Sequence, residues 1–164
     1  MVGAWRLVSY ESRDNTGAVH YPFGQGAIGR LLYDAHGNVS AMLMKSDRPP
    51  FASQDPLRGT DAEVRAAFHG FSAYFGTYSV DPLTRTVTHH VIAASYPNWA
   101  NGDQVRCYKL DGKHLVLSTP PIQIGGRPPD DRLGVGAFTV RLPPNHRLPL
   151  TDALPRAPLG ADRR

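Results

Sequence analysis

Over much of this chain apolar and polar residues alternate in short stretches, and turn-forming residues close each stretch. Residues 2–12 carry Trp5, Tyr10 and valines among polar positions and stop at Asp14-Asn15-Thr16-Gly17, residue types that favour a turn. Further strand-like runs cover residues 28–34, 39–45, 78–81, 85–95, 104–110 and 114–119. Two connectors, residues 35–38 and Asp111-Gly112, have hairpin length. The pattern predicts an all-β, antiparallel sheet curled into a barrel or sandwich.

One segment departs from that period. Thr60-Asp61-Ala62-Glu63 has the form of a capping box. After it Val64, Ala67, Phe68, Phe71 and Phe75 recur at intervals of three and four. This predicts one amphipathic helix over residues 61–75, ended by Gly76 and suited to lie across an open barrel end. The proline-bearing segment 47–59 reads as loop. From Pro143 onward Pro, Arg, Leu and Ala dominate without a period. That predicts a domain over residues 1–142 followed by a disordered tail, 143–164.

Composition narrows the function classes. A chain of 164 residues, 41% hydrophobic, supports one domain with a real core. Its 16 glycines and 15 prolines suit short strands and turns better than helices. The single cysteine, Cys107, allows no internal disulfide and no thiolate zinc site. With no basic-then-apolar leader at Met1-Val2-Gly3, it predicts a cytoplasmic protein. No apolar run is long enough for a transmembrane helix, so no membrane partner is expected. The net charge of +4 is dispersed, and Arg147, Arg156, Arg163 and Arg164 lie in the tail. Nucleic acid is therefore not expected either.

Several motifs do not lead to chemistry. Gly24-Gln25-Gly26-Ala27-Ile28-Gly29 has the GxGxxG spelling, but the strand-like Arg30-Leu31-Leu32-Tyr33 follows where a nucleotide site needs a helix. Gly70-Phe71-Ser72-Ala73-Tyr74 lacks the closing glycine of a nucleophile elbow. His89-His90 cannot chelate one metal, because neighbours on a strand point to opposite faces. No metal and no cofactor are expected.

What remains are candidates whose meaning depends on which face of a strand looks inward. One of His89 and His90 faces the interior of a closed sheet, as a packed core residue or as a proton-transfer group. Gln104, Arg106 and Tyr108 share one strand face, which is either solvated or directed into a lumen. Trp99 and Asn98 lie in a loop that could cover an opening. Met42 and Met44 share a face and are adaptable lining candidates, although core packing is the default.

A resemblance changes those odds. Gly3-Ala4-Trp5 opens the first strand with the G-x-W form of lipocalins. Pro49-Pro50-Phe51, Tyr74-Phe75-Gly76, Thr88-His89-His90-Val91, Pro97-Asn98-Trp99, Gln104-Val105-Arg106 and Leu117-Ser118-Thr119-Pro120-Pro121 follow in order. Over residues 2–125 the chain resembles the bacterial and fungal lipocalin-like domain family. The resemblance implies a barrel of about eight strands around a cavity for a small, largely apolar molecule. It makes lumen candidates of one histidine (His90 taken ahead of His89), Arg106, Tyr108, Trp99 and Met42. The first functional expectation is therefore reversible ligand binding by Arg106, Tyr108, Gln104, His90, Trp99, Asn98, Met42 and Met44. The alternative is a cofactor-independent cyclase, isomerase or dehydratase of secondary metabolism. Its catalytic candidates are His90, His89 and Arg106.

Near the C-terminus the resemblance stops. Family members end in a strand resembling Leu-Val-Trp-Glu-Arg, whereas this chain has Leu133-Gly134-Val135-Gly136-Ala137-Phe138. The codons CTT GGT GTG GGA GCG TTC encode the latter and, read one base later, the former. A shifted reading frame near Arg132 would account for both. Residues 137–142 alternate and could serve as a substitute strand; the resemblance to lipocalins implies an arginine of the final strand packed on Trp5, a place that Arg141 could take. A poorly closed barrel exposes edges, which leaves a homodimer open.

Overall fold

A computed structural model describes residues 1–14, 16–119 and 137–141. Among these described residues nine strands and one α-helix follow in chain order. β1 (Gly3–Arg13), β2 (Val19–His20), β3 (Ile28–Tyr33) and β4 (Asn38–Met44) precede α1 (Asp61–His69). After it come β5 (Phe71–Asp81), β6 (Thr86–Ala94), a 3₁₀ turn (Pro97–Trp99), β7 (Asp103–Asp111), β8 (His114–Ser118) and β9 (Ala137–Arg141). Every pairing is antiparallel, and β1, β3, β4, β5, β6, β7, β8 and β9 run in sequence until β9 returns to β1. The result is a closed eight-stranded barrel, with the two-residue β2 added alongside β1. Closure satisfies the backbone donors and acceptors that an open sheet would leave at its edges.

The expected hairpins form for local reasons. At the β3–β4 turn Asp34 Oδ1 accepts from the amides of His36 and Asn38, and Gly37 takes a φ of 86°. Asp111 pairs with His114 across Gly112-Lys113, where Gly112 has a φ of 49°. Both glycines occupy the left-handed region that other L-residues enter at a cost. The Gly24-Gln25-Gly26 segment is a turn that leads into β3.

The helix is shorter than its spacing predicts. The capping box is present: Glu63 donates its amide to Thr60 Oγ1 and accepts from the Thr60 amide. The helix nevertheless ends at His69 with Gly70 as its C-cap. Phe71 and Phe75 belong to β5, paired with Met44 and Ser40 on β4. Gly76 is a strand residue, and not the helix terminator. A Cβ at that position would collide with the His90 carbonyl oxygen, so glycine permits the close approach of β6 beside an irregularity in the β5–β6 register.

Inward positions alternate as a barrel requires. Trp5, Leu7, Leu31, Tyr33, Val39, Val87, Leu115 and Val140 pack into one continuous core. Val140 on β9 is fully buried and pairs with Leu7 and Leu115, so the expected substitute strand does close the barrel. Arg141 does not meet Trp5 as expected. It is exposed and opposite Arg6, while Trp5 is buried and donates its indole N–H to the Met1 carbonyl. The expectations for the tail at 143–164, and for the reading frame near Arg132, lie outside the described residues.

Candidate functional site

The core fills only part of the barrel. The rest is a cavity of about 620 Å³, within the range of small-molecule sites. Its wall is mainly apolar and aromatic. Leu31, Leu43 and Leu117 come from the strands, Phe68 from α1, Phe71 and Tyr74 from β5, and Trp99 from the 3₁₀ turn. α1 and the turn thus bring side chains over one end of the barrel. Tyr74 and Tyr96 each stand edge-on to Trp99, with ring centroids 6.1 and 5.7 Å away. Such contacts hold the indole in place.

β7 brings a cation and an amide to the wall. Gln104, Arg106 and Tyr108 are the inward residues of that strand, and Gln104 and Arg106 border the cavity. Tyr108 packs against the core and is not on the wall. The Arg106 guanidinium donates to Gln104 Oε1 at 3.0 Å and to the Val105 carbonyl at 3.0 Å. Among the described residues no carboxylate lies within ion-pair distance of Arg106. Its charge is felt by Tyr10 and Tyr74, whose hydroxyl pKa values burial raises and the guanidinium partly lowers.

The histidine parity is the reverse of the one taken above. His89, not His90, points inward and has no exposed surface. Tyr33 Oη lies 2.6 Å from its Nε2, and Tyr74 Oη lies 2.7 Å from its Nδ1. Burial first, then the Arg106 charge and His90, push its pKa down to about 3. It is therefore a neutral ring with both nitrogens engaged. It does not line the cavity; Tyr74 does.

His90 lies on the outer face, where Nδ1 is 2.7 Å from Asp103 Oδ1 and Nε2 is 3.0 Å from Ser79 Oγ. That is the connectivity of a Ser-His-Asp triad. It lies outside the cavity, and His90 sits in the ladders with Thr77 and Asp103, so the local backbone is committed to sheet pairing.

The other candidates divide. Trp99 lines the cavity, whereas Asn98 is exposed and off the wall. Met42 borders the cavity, yet it sits between the inward Ala41 and Leu43 and is 40% exposed. Met44 shares its face and is not on the wall; its sulfur meets Arg48 instead. The sequence reading misses Tyr74, Tyr10 and Phe23. Tyr74 is hidden by the helix prediction, although Ser72, Tyr74 and Gly76 alternate with Phe71, Ala73 and Phe75 at the strand period.

The closed barrel with a partly vacant interior agrees with the comparison to known families. A lipocalin-like domain model matches residues 2–133. The chain belongs to the lipocalin-like domain family. It is also 37% identical over 95 residues to the 4'-hydroxy-3'-methoxypropiophenone carrier protein ppsC of Aspergillus oryzae (strain ATCC 42149 / RIB 40). That alignment covers 54% of this chain and 86% of the relative. The family match ends before β9, so the strand that closes this lipocalin-like barrel lies beyond the matched region.

Proposed function

We propose that this lipocalin-like protein reversibly binds and carries a small, largely apolar aromatic molecule bearing an oxygen substituent. One observation carries the reading: an arginine without a carboxylate partner among the described residues borders an otherwise mainly apolar and aromatic cavity of about 620 Å³. The wall supplies affinity by excluding water, and Arg106 and Gln104 fix the oxygen. The relative's name specifies a carrier of an aryl ketone with further oxygen substituents, which is the same combination of ring and acceptor. His89 is off the wall and held neutral, so the geometry favours carriage over proton transfer to a bound molecule.

Propiophenone is a simple probe of this reading. Titration followed by calorimetry should show saturable one-to-one binding, with quenching of tryptophan emission as Trp99 is covered. Arg106→Met should weaken it by on the order of tenfold to a hundredfold, the loss of a charge-assisted hydrogen bond worth about 1.5–3 kcal/mol. Absence of saturable binding by the wild-type protein would remove the proposal.

A further inference from the structure

The polar cluster beneath the cavity has a hydrogen-bond sense that can be worked out by counting hydrogens. Tyr33 is fully buried, and among the described residues its hydroxyl has one hydrogen-bond partner, His89 Nε2. If the ring carried its proton on Nε2, the Tyr33 hydrogen would be left buried without an acceptor, which costs about 1–3 kcal/mol. Tyr33 therefore donates to Nε2, and the proton of the neutral imidazole resides on Nδ1. Nδ1–H then donates to Tyr74 Oη. The Arg106 guanidinium also stands beside that oxygen and offers only donors. The Tyr74 hydroxyl thus receives from the imidazole, faces a cation, and has its own hydrogen to give. Tyr74 lines the cavity, and among the described residues no acceptor for that hydrogen lies within hydrogen-bond distance, so the void is the side left open to it.

We infer that Tyr74 presents its hydroxyl hydrogen to the cavity and makes the site selective for ligands with a carbonyl or ether oxygen facing Tyr74 and Arg106. This rests on the carrier reading above and adds a direction to it. Tyr33 and His89 act as positioning residues, fixing which way the Tyr74 hydroxyl turns. A ligand that offers only a donor at this point would meet hydrogens from both Tyr74 and Arg106, and would be rejected.

Two measurements test it. The first needs no ligand. Long-range ¹H–¹⁵N correlation spectra of histidine-labelled wild-type protein should place the His89 proton on Nδ1; a proton on Nε2 overturns the inference. The second compares propiophenone with n-propylbenzene, which lacks only the carbonyl oxygen. Wild type should prefer the ketone by about tenfold or more, and Tyr74→Phe should reduce that preference about five- to tenfold, the effect of one hydrogen bond. Binding of both probes with the preference intact in Tyr74→Phe overturns the selectivity and leaves the carrier reading standing. If neither probe binds wild type, the carrier reading falls and the selectivity with it. Should Tyr74→Phe not fold, the wild-type preference and the His89 tautomer still decide.

Discussion

His89 and His90 are adjacent in sequence, and they meet opposite environments because a strand turns successive side chains to opposite faces. His89 shares its parity with Val87 and Val91, both buried, but His90 is flanked in the same way by the β-branched Thr88 and Ile92, so the sequence carried no signal for the inner face. The consequence is measurable. A buried histidine with a pKa of about 3 binds its proton far less readily than the same residue in an unfolded chain, near 6.5. The unfolded state then holds more protons between those values, so stability falls as pH drops from about 6.5 towards 3, by on the order of 4 kcal/mol if this group acts alone. Urea denaturation of wild type between pH 7 and pH 4 should show that slope. His89→Gln should flatten it, and His90→Ala, on the outer face, should leave it in place. An unchanged slope in His89→Gln would assign the acid sensitivity elsewhere.

At the scale of elements, α1 shows how two periods can coincide. Phe68, Phe71 and Phe75 satisfy helical spacing, yet the last two also satisfy alternation, and pairing with β4 decides in favour of the strand. The start of the helix was legible because the capping box is a local device. The end was not, because it depends on a partner strand distant in sequence. α1 buries no residue fully, so little tertiary packing supports it and the cap carries unusual weight. Glu63 accepts from the amides of Thr60 and Ala52, joining the helix start to the proline-bearing loop, and these bonds hold its pKa below the usual carboxylate value. Glu63→Ala should cost about 1 kcal/mol locally. Amide exchange at Ala52 and Val64 should quicken, and release of a cavity ligand should accelerate with it, since Phe68 and His69 border the site. Unchanged exchange at those amides would separate the cap from the lid.

For the whole molecule the decisive strand is β9. It lies past the family match, and its backbone joins β1 to β8. Its alternation was readable in Thr139, Val140 and Arg141. That it would pair on both sides was not, because ring closure depends on the tilt and register of all the strands together. Val140→Asp puts an unpaired charge at a position with no exposure, a change expected to cost several kcal/mol. The barrel should then open, exposing the edges of β1 and β8. Size-exclusion chromatography should show association, and propiophenone binding should be lost. A monomer that still binds would show that the ring does not need this strand.

By itself the sequence determined the strand-rich class, the hairpin turns, the helix start and the set of side chains that share a face, because each is governed by residues a few positions apart. Only the tertiary structure decided which face looks inward, where α1 stops, and that Tyr33, His89, Tyr74 and Arg106 form one cluster, of which Tyr74 and Arg106 reach the cavity wall. Those four come from four different strands, and nothing in local spacing says which residues a closed ring will bring together.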